Sequence, residues 1–139
     1  MAQADTAVDS TVDDRLPGNE WIAIRYNTMT NRAARDKSAR TMFLNRRYRY
    51  YGISFFTRPN MTAREIAIAI AQHTKVVTGK MRAVVVGDLR EAGFQLVDYV
   101  PETGHVTLKF AAKPDDRDWE RLIALMTPPE PVPFVSLEV

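Results

Sequence analysis

The alternation of apolar and polar residues predicts two strands in the first half of the chain. Residues 20–27 place Ile22, Ile24 and Tyr26 on one face and their polar or small neighbours on the other, as in a half-buried strand. Residues 48–57 are rich in aromatic side chains and predict a second strand, which the sequence Arg58-Pro59-Asn60 ends. Residues 28–47 lie between these strands and fit either a helix beginning near Thr30 or a flexible basic loop.

A pair of helices is predicted next. Thr62 and Glu65 have the spacing of a capping box, in which each side chain accepts a hydrogen bond from the other residue's backbone amide. Apolar residues at helical spacing then predict helices over 63–73 and 79–92, joined by a turn at 75–77. Gly93 stands where a C′ glycine ends a helix. Gly87, inside the second helix, indicates either simple tolerance or the close approach of another backbone.

The remaining pattern predicts a hairpin and a final helix. Strands over 94–100 and 105–110 are joined by Pro101-Glu102-Thr103-Gly104, which suits a type I turn followed by a left-handed glycine. Acidic residues after Pro114 favour a helix start, and the proline-rich segment after that helix predicts an extended linker before a last strand at 134–139.

The predicted fold class is α+β, a helix-turn-helix pair with a β-hairpin and extra N-terminal strands. One domain is predicted over residues 20–126, because a disordered acidic tail at 1–19 precedes it and a proline-rich tail at 127–139 follows it.

The formal net charge of +2 hides a strong segregation of charge. Residues 21–58 hold nine Lys/Arg residues against one acid, Asp36, which gives a net charge of +8. Residues 1–20 and residues 114–139 each have a net charge of −4. A basic block between acidic ends is typical of a surface that binds polyanions, although a solvated basic face fits the same pattern.

Composition excludes several kinds of chemistry. The chain has no cysteine, which excludes disulfides, thiolate metal ligands and thiol catalysis. No apolar run is long enough to span a membrane and residues 1–20 lack a signal-peptide pattern, so a cytoplasmic location is expected. The two histidines, His73 and His105, have no carboxylate at ligand spacing. We therefore predict no catalytic residue, no metal and no cofactor.

The candidate binding residues come from the segment 45–51, which interleaves arginine with tyrosine, and from the predicted helix pair. Arginine can neutralise phosphate, and tyrosine can stack on unpaired bases or hydrogen-bond the backbone, although an amphipathic strand with tyrosines in the core and arginines in water fits the same pattern. The predicted nucleic-acid-binding residues are Arg46, Arg47, Arg49, Tyr51, Lys75, Lys80, Arg82 and Arg90.

Two families share features with this part of the chain. Arg49-Tyr50-Tyr51-Gly52, the stretch 61–71 and the stretch 78–84 resemble HU/IHF-type histone-like DNA-binding proteins, over residues 48–92. The same region resembles a winged helix, with 79–92 as the recognition helix and Pro101–Gly104 as the wing tip. Both resemblances imply non-enzymatic binding of DNA, favoured over RNA. The HU/IHF resemblance also implies a homodimer and a location at the bacterial nucleoid.

Two other functions stay open at this point. One is a protein-interaction subunit of a phage or bacterial assembly, which would dock on a protein partner through its tails. The other is a small nuclease-type toxin that uses a histidine with arginines.

Overall fold

The computed structural model describes residues 17–26, 29, 32–44, 50–72 and 79–133. Within these ranges the chain forms four helices and six strands, which confirms the predicted α+β class. In chain order they are β1 Ile22–Arg25, α1 Arg32–Leu44, β2 Tyr51–Arg58, α2 Ala63–Ala71, β3 Lys80–Val85, α3 Val86–Glu91, β4 Gln95–Val100, β5 His105–Phe110, α4 Asp116–Leu125 and β6 Glu130–Pro131.

The strands form one sheet in the order β4-β5-β2-β1-β3-β6, and every neighbouring pair is antiparallel. Ile24 lies opposite Phe56 of β2 on one side and opposite Ala83 of β3 on the other. The predicted hairpin is confirmed as β4 and β5, and Gly104 takes the expected left-handed conformation with φ of 82°. The turn is fixed because the Gly104 amide donates to the Val100 carbonyl at 2.7 Å.

Each face of the sheet has its own apolar cluster. The first cluster contains buried residues from α1, α3 and α4, including Ala39, Leu89 and Trp119. The second cluster contains Ile66 and Ile70 of α2 together with residues of β1 and β3. The sheet therefore has helices on both faces, and successive residues of its central strands are buried on opposite sides.

The helix predicted over 79–92 is wrong for its first half, which is strand β3. Met81, Arg82, Ala83 and Val84 are all buried in succession. A strand covered on both faces shows a continuous apolar run, and such a run cannot be told from a buried helix by spacing alone. The short helix α3 follows, and Gly93 ends it with φ of 93°, as predicted. The helix-turn-helix pair is thus replaced by a helix, a strand and a six-residue helix.

The ends of the other helices confirm the capping predictions. Thr62 accepts from the Glu65 amide at 3.1 Å, and Glu65 accepts from the Thr62 amide at 2.8 Å. Asp115 and Asp118 form the same reciprocal pair at the start of α4. The stretch 28–47, which fitted either helix or loop, contains the 13-residue helix α1.

The bonded structure extends beyond the predicted domain at both ends. Pro17 is buried, and the Asn19 carbonyl accepts from the Gly87 amide at 2.8 Å, so 17–19 pack on α3 rather than belonging to the tail. Residues 127–132 bond to β3, through Thr127 to Ala83 and through β6. The predicted turn at 75–77 and the strand at 134–139 lie outside the described residues.

Candidate nucleic-acid interface

Helix α1 divides its charged side chains between the interior and the solvent. Its sequence holds Arg32, Arg35, Lys37 and Arg40 with a single acid, Asp36. Ala39 is 1% exposed and packs in the first cluster, which fixes the inward side of the helix. Lys37 and Arg40 are exposed, whereas Arg35 and Asp36 are only partly exposed. The cations that face the solvent are therefore three residues apart, which places them near each other on a helix.

Trp119 of α4 is hydrogen-bonded to Asp36, the one acid in the sequence of the basic block. Its indole Nε1 donates to Asp36 Oδ1 at 2.9 Å, and the Arg35 guanidinium carbon lies 5.6 Å from the centre of a Trp119 ring. Arg35 also donates to the Met29 carbonyl at 3.1 Å. These contacts hold the Asp36 carboxylate against α4 at the edge of a groove, whereas Lys37 and Arg40 are exposed.

The exposed basic face of α1 has a mixed border. A groove of about 450 Å³ is lined by Asp36 and by residues 113–117, which include Lys113, Asp115, Asp116 and Arg117. Three carboxylates and two cations line it, so the groove itself is not a basic surface. Among the described side chains of α1, the exposed cations outside this groove are Lys37 and Arg40.

The structure describes four of the eight predicted binding residues. Arg46, Arg47, Arg49 and Lys75 lie outside the described residues. The other four lie on separate elements: Tyr51 begins β2, Lys80 and Arg82 lie on β3, and Arg90 lies on α3. The interpretation of 79–92 as one helix groups Lys80, Arg82 and Arg90, whereas the structure places the first two on β3 and the third on α3.

The contacts of these four residues differ. The Tyr51 ring packs against the first cluster. Arg82 is 8% exposed and donates to the Thr127 carbonyl at 3.1 Å, so burial makes it a poor phosphate ligand. Arg90 donates to Asn19 Oδ1 at 2.7 Å, and Lys80 is exposed at the start of β3. Lys80 is thus the most accessible cation among the four.

Arg25 belongs to the basic block but serves the interior. It donates to the Ser54 carbonyl at 2.9 Å, while its Nε is buried without a hydrogen-bond partner. Burial lowers the pKa of Arg25 to about 10, so the guanidinium stays charged at neutral pH. The number of cations can be read from the sequence. Whether each cation faces the solvent or the interior depends on the packing of α1 and β1, which the sequence does not show.

The described histidine, His105, contacts a serine hydroxyl and an aromatic ring. His105 Nε2 lies 2.9 Å from Ser54 Oγ, and its ring packs edge-on to Phe56 with centres 5.5 Å apart. Burial lowers the pKa of His105, and the charge of Asp98 opposes that effect. His73 lies outside the described residues, and within those ranges no three His, Asp or Glu side chains cluster as a metal site would require. His105 is explained by its packing at the hairpin.

None of the helices in the described ranges has the length and apolar character needed to cross a membrane.

Comparison with known proteins gives no relative for this chain. It matches no family model, no curated protein and no solved structure at a significant level. The HU/IHF and winged-helix resemblances stay predictions, and any function must be argued from the residues themselves.

Proposed function

We propose that this protein is a non-enzymatic nucleic-acid-binding protein that prefers DNA to RNA and contacts the phosphate backbone through the basic face of α1. The observation that carries the proposal is the hydrogen bond from Trp119 to Asp36, which engages the one acid of the block 21–58 with α4. A helix that exposes Lys37 and Arg40 while its one carboxylate is bonded to another element suits a polyanion.

The net charge of the block 21–58 supports contact with the phosphate backbone of a nucleic acid rather than recognition of its bases. The block has a net charge of +8 within 38 residues, flanked by acidic ends. Phosphate contacts supply most of non-specific affinity and carry little sequence information. Binding that is strong at low salt and weakly sequence-dependent is therefore expected.

The proposal does not use a helix-turn-helix. A helix-turn-helix pair would need a helix throughout 79–92, and strand β3 occupies its first half. The homodimer and the nucleoid location implied by the HU/IHF resemblance are part of the proposal as expectations, and sizing chromatography of the free protein tests the dimer.

Fluorescence anisotropy with labelled duplex DNA, single-stranded DNA and RNA of equal length tests the proposal. With about four to six phosphates neutralised, log affinity for duplex DNA should fall against log salt with a slope of about −4 to −5. Replacing Lys37 and Arg40 together with glutamine should reduce the magnitude of that slope by about 1.8, since each phosphate contact contributes about 0.9.

A charge-matched control separates a local contact from a general effect of net charge. Arg64→Gln with Arg121→Gln removes two exposed cations from α2 and α4 that do not line the groove beside α1, and it should leave the slope unchanged. Equal effects of both double variants, or no binding at low salt, would refute the proposal. Stoichiometric co-purification with one protein in the absence of nucleic-acid binding would favour the assembly-subunit function instead.

A further inference from the structure

The proline-rich segment after α4 is bonded along the edge of strand β3. Its attachment begins at Thr127, whose amide donates to the Ala83 carbonyl at 2.8 Å and whose hydroxyl accepts from the Ala83 amide at 2.9 Å. At the other end of the segment, the Val132 amide donates to the Gly79 carbonyl at 2.9 Å. Strand β6 lies between these attachments and is the outermost strand of the described sheet on this side.

The prolines of this segment alternate with other residues. Positions 129–133 read Pro-Glu-Pro-Val-Pro. Consecutive residues of an antiparallel strand direct their backbone N–H and C=O groups toward opposite edges. Since Val132 bonds to β3, Glu130 shares its direction, whereas Pro131 is directed outward, as are Pro129 and Pro133 by the same alternation. Proline has no backbone N–H, so the outward edge of this segment offers carbonyl acceptors and no donors.

An edge without donors cannot form a ladder with a copy of itself. Two such edges brought side by side would place carbonyl groups against carbonyl groups, and no backbone hydrogen bond would join them. An ordinary strand edge presents both donors and acceptors and is a ready template for another chain, and proline on an edge strand is one of the features that oppose this pairing.

The opposite edge of the sheet, β4, carries a different obstacle to pairing. The β4–β5 register shifts between Val97 and Val100, and Asp98 lies within this irregularity with φ of 57°. The Asp98 side chain is exposed. A bulge bends an edge strand and interrupts its regular ladder, and an exposed charge there also opposes strand addition. Both edges of the described sheet therefore have features that disfavour a further strand.

We infer that residues 129–133 form a terminating strand, which bonds to β3 through positions 130 and 132 and closes the sheet against a second copy of the chain. This role goes beyond the proposed function and does not depend on nucleic-acid binding. It also requires that a homodimer, if one forms, join its two copies elsewhere than along β6.

Restoring the outward amides tests the inference. Replacing Pro129, Pro131 and Pro133 together with threonine adds three outward N–H groups in a residue type that favours strands. Sedimentation equilibrium over a range of protein concentrations should then show self-association about 10-fold tighter or more than that of the unaltered protein, because amide-to-carbonyl bonds become available between copies. Pro128→Thr is the matched control, since it removes a neighbouring proline that lies outside the alternation.

The single variant Pro131→Thr tests the direction of the amide without relying on association. In dilute solution the amide introduced at position 131 should exchange its hydrogen with solvent about 10-fold faster or more than the Val132 amide, which is bonded to Gly79. This measurement decides the inference by itself if the triple variant does not fold.

Tighter association of the triple variant, no effect of Pro128→Thr and rapid exchange at position 131 would support the terminating strand. Unchanged association in a triple variant that keeps the thermal midpoint of the unaltered protein would overturn it. An equal increase in Pro128→Thr would also overturn it, because the effect would then come from the loss of any proline in the segment. Slow exchange at position 131 in the dilute single variant would place that amide toward β3 and contradict the alternation.

Discussion

Replacing Trp119 with phenylalanine removes the indole N–H that holds Asp36 and part of a fully buried ring. A hydrogen bond to a charged acceptor contributes about 1.5–3 kcal/mol when the partner is left partly buried. The lost part of the ring adds about 2 kcal/mol of apolar burial. Arg35 keeps an aromatic ring beneath its guanidinium, so that contact is largely preserved. Trp119→Phe should therefore lower the free energy of unfolding by about 3–5 kcal/mol.

A double-mutant cycle with Asp36→Ala isolates the hydrogen bond from the packing loss. Asp36→Ala changes helix propensity in α1 as well as removing the acceptor, but that contribution cancels in the cycle. Urea titration of the four proteins should give a coupling energy of about 1.5–3 kcal/mol between the two positions.

The coupling energy also tests the geometry behind the proposed function. A value under about 0.5 kcal/mol would lie within the additivity of independent sites and would show that Asp36 and Trp119 do not interact. The proposed function would then lose the observation that carries it, because Asp36 would be free to lie beside Lys37 and Arg40 on the surface of α1.

Four further outcomes are expected. Leu89→Ala, at a fully buried position, should cost about 2–5 kcal/mol in denaturant titration, and a loss under about 0.5 kcal/mol would contradict the packing of α3. Gly87→Ala should destabilise the protein although alanine favours helix, because the added Cβ would lie 2.9 Å from the Asn19 carbonyl oxygen; a higher thermal midpoint would refute this contact. Burial holds the pKa of His105 below its ordinary 6.5, so the unfolded chain binds more protons than the folded chain just below that pH. The free energy of unfolding should therefore fall as pH falls through this window. Urea titrations at several pH values should show a weaker pH dependence for His105→Gln. Truncation of residues 1–16 removes four acids and one base, so the affinity for DNA should rise several-fold at low salt. The rise should be smaller at physiological salt, where the Debye length is about 8 Å. An unchanged affinity at low salt would show that the tail does not compete with DNA.

Local chemistry determined the helix ends and the hairpin. The Thr62–Glu65 capping box, the start of α4 after Pro114 and the turn with Gly104 all depend on atoms within a few residues of one another. The energies involved are those of short-range hydrogen bonds and backbone conformations, which neighbouring residues specify by themselves. The helix predicted over 63–73 is therefore found at Ala63–Ala71, the hairpin predicted over 94–110 at Gln95–Phe110, and the helix predicted after Pro114 at Asp116–Leu125.

The tertiary structure alone decided which apolar run is a strand and which charges face the solvent. Residues 80–85 form a strand because β1 and β6 pair with its two edges and both of its faces are covered, and no spacing within the segment records those neighbours. Asp36 is held by a hydrogen bond from Trp119, which is 83 positions away in the sequence. Tyr50 likewise bonds to Asp98, which is 48 positions away. Contacts between residues so far apart in the sequence form only when the whole sheet assembles. The number of charged residues can therefore be counted in the sequence, but which of them face the solvent cannot.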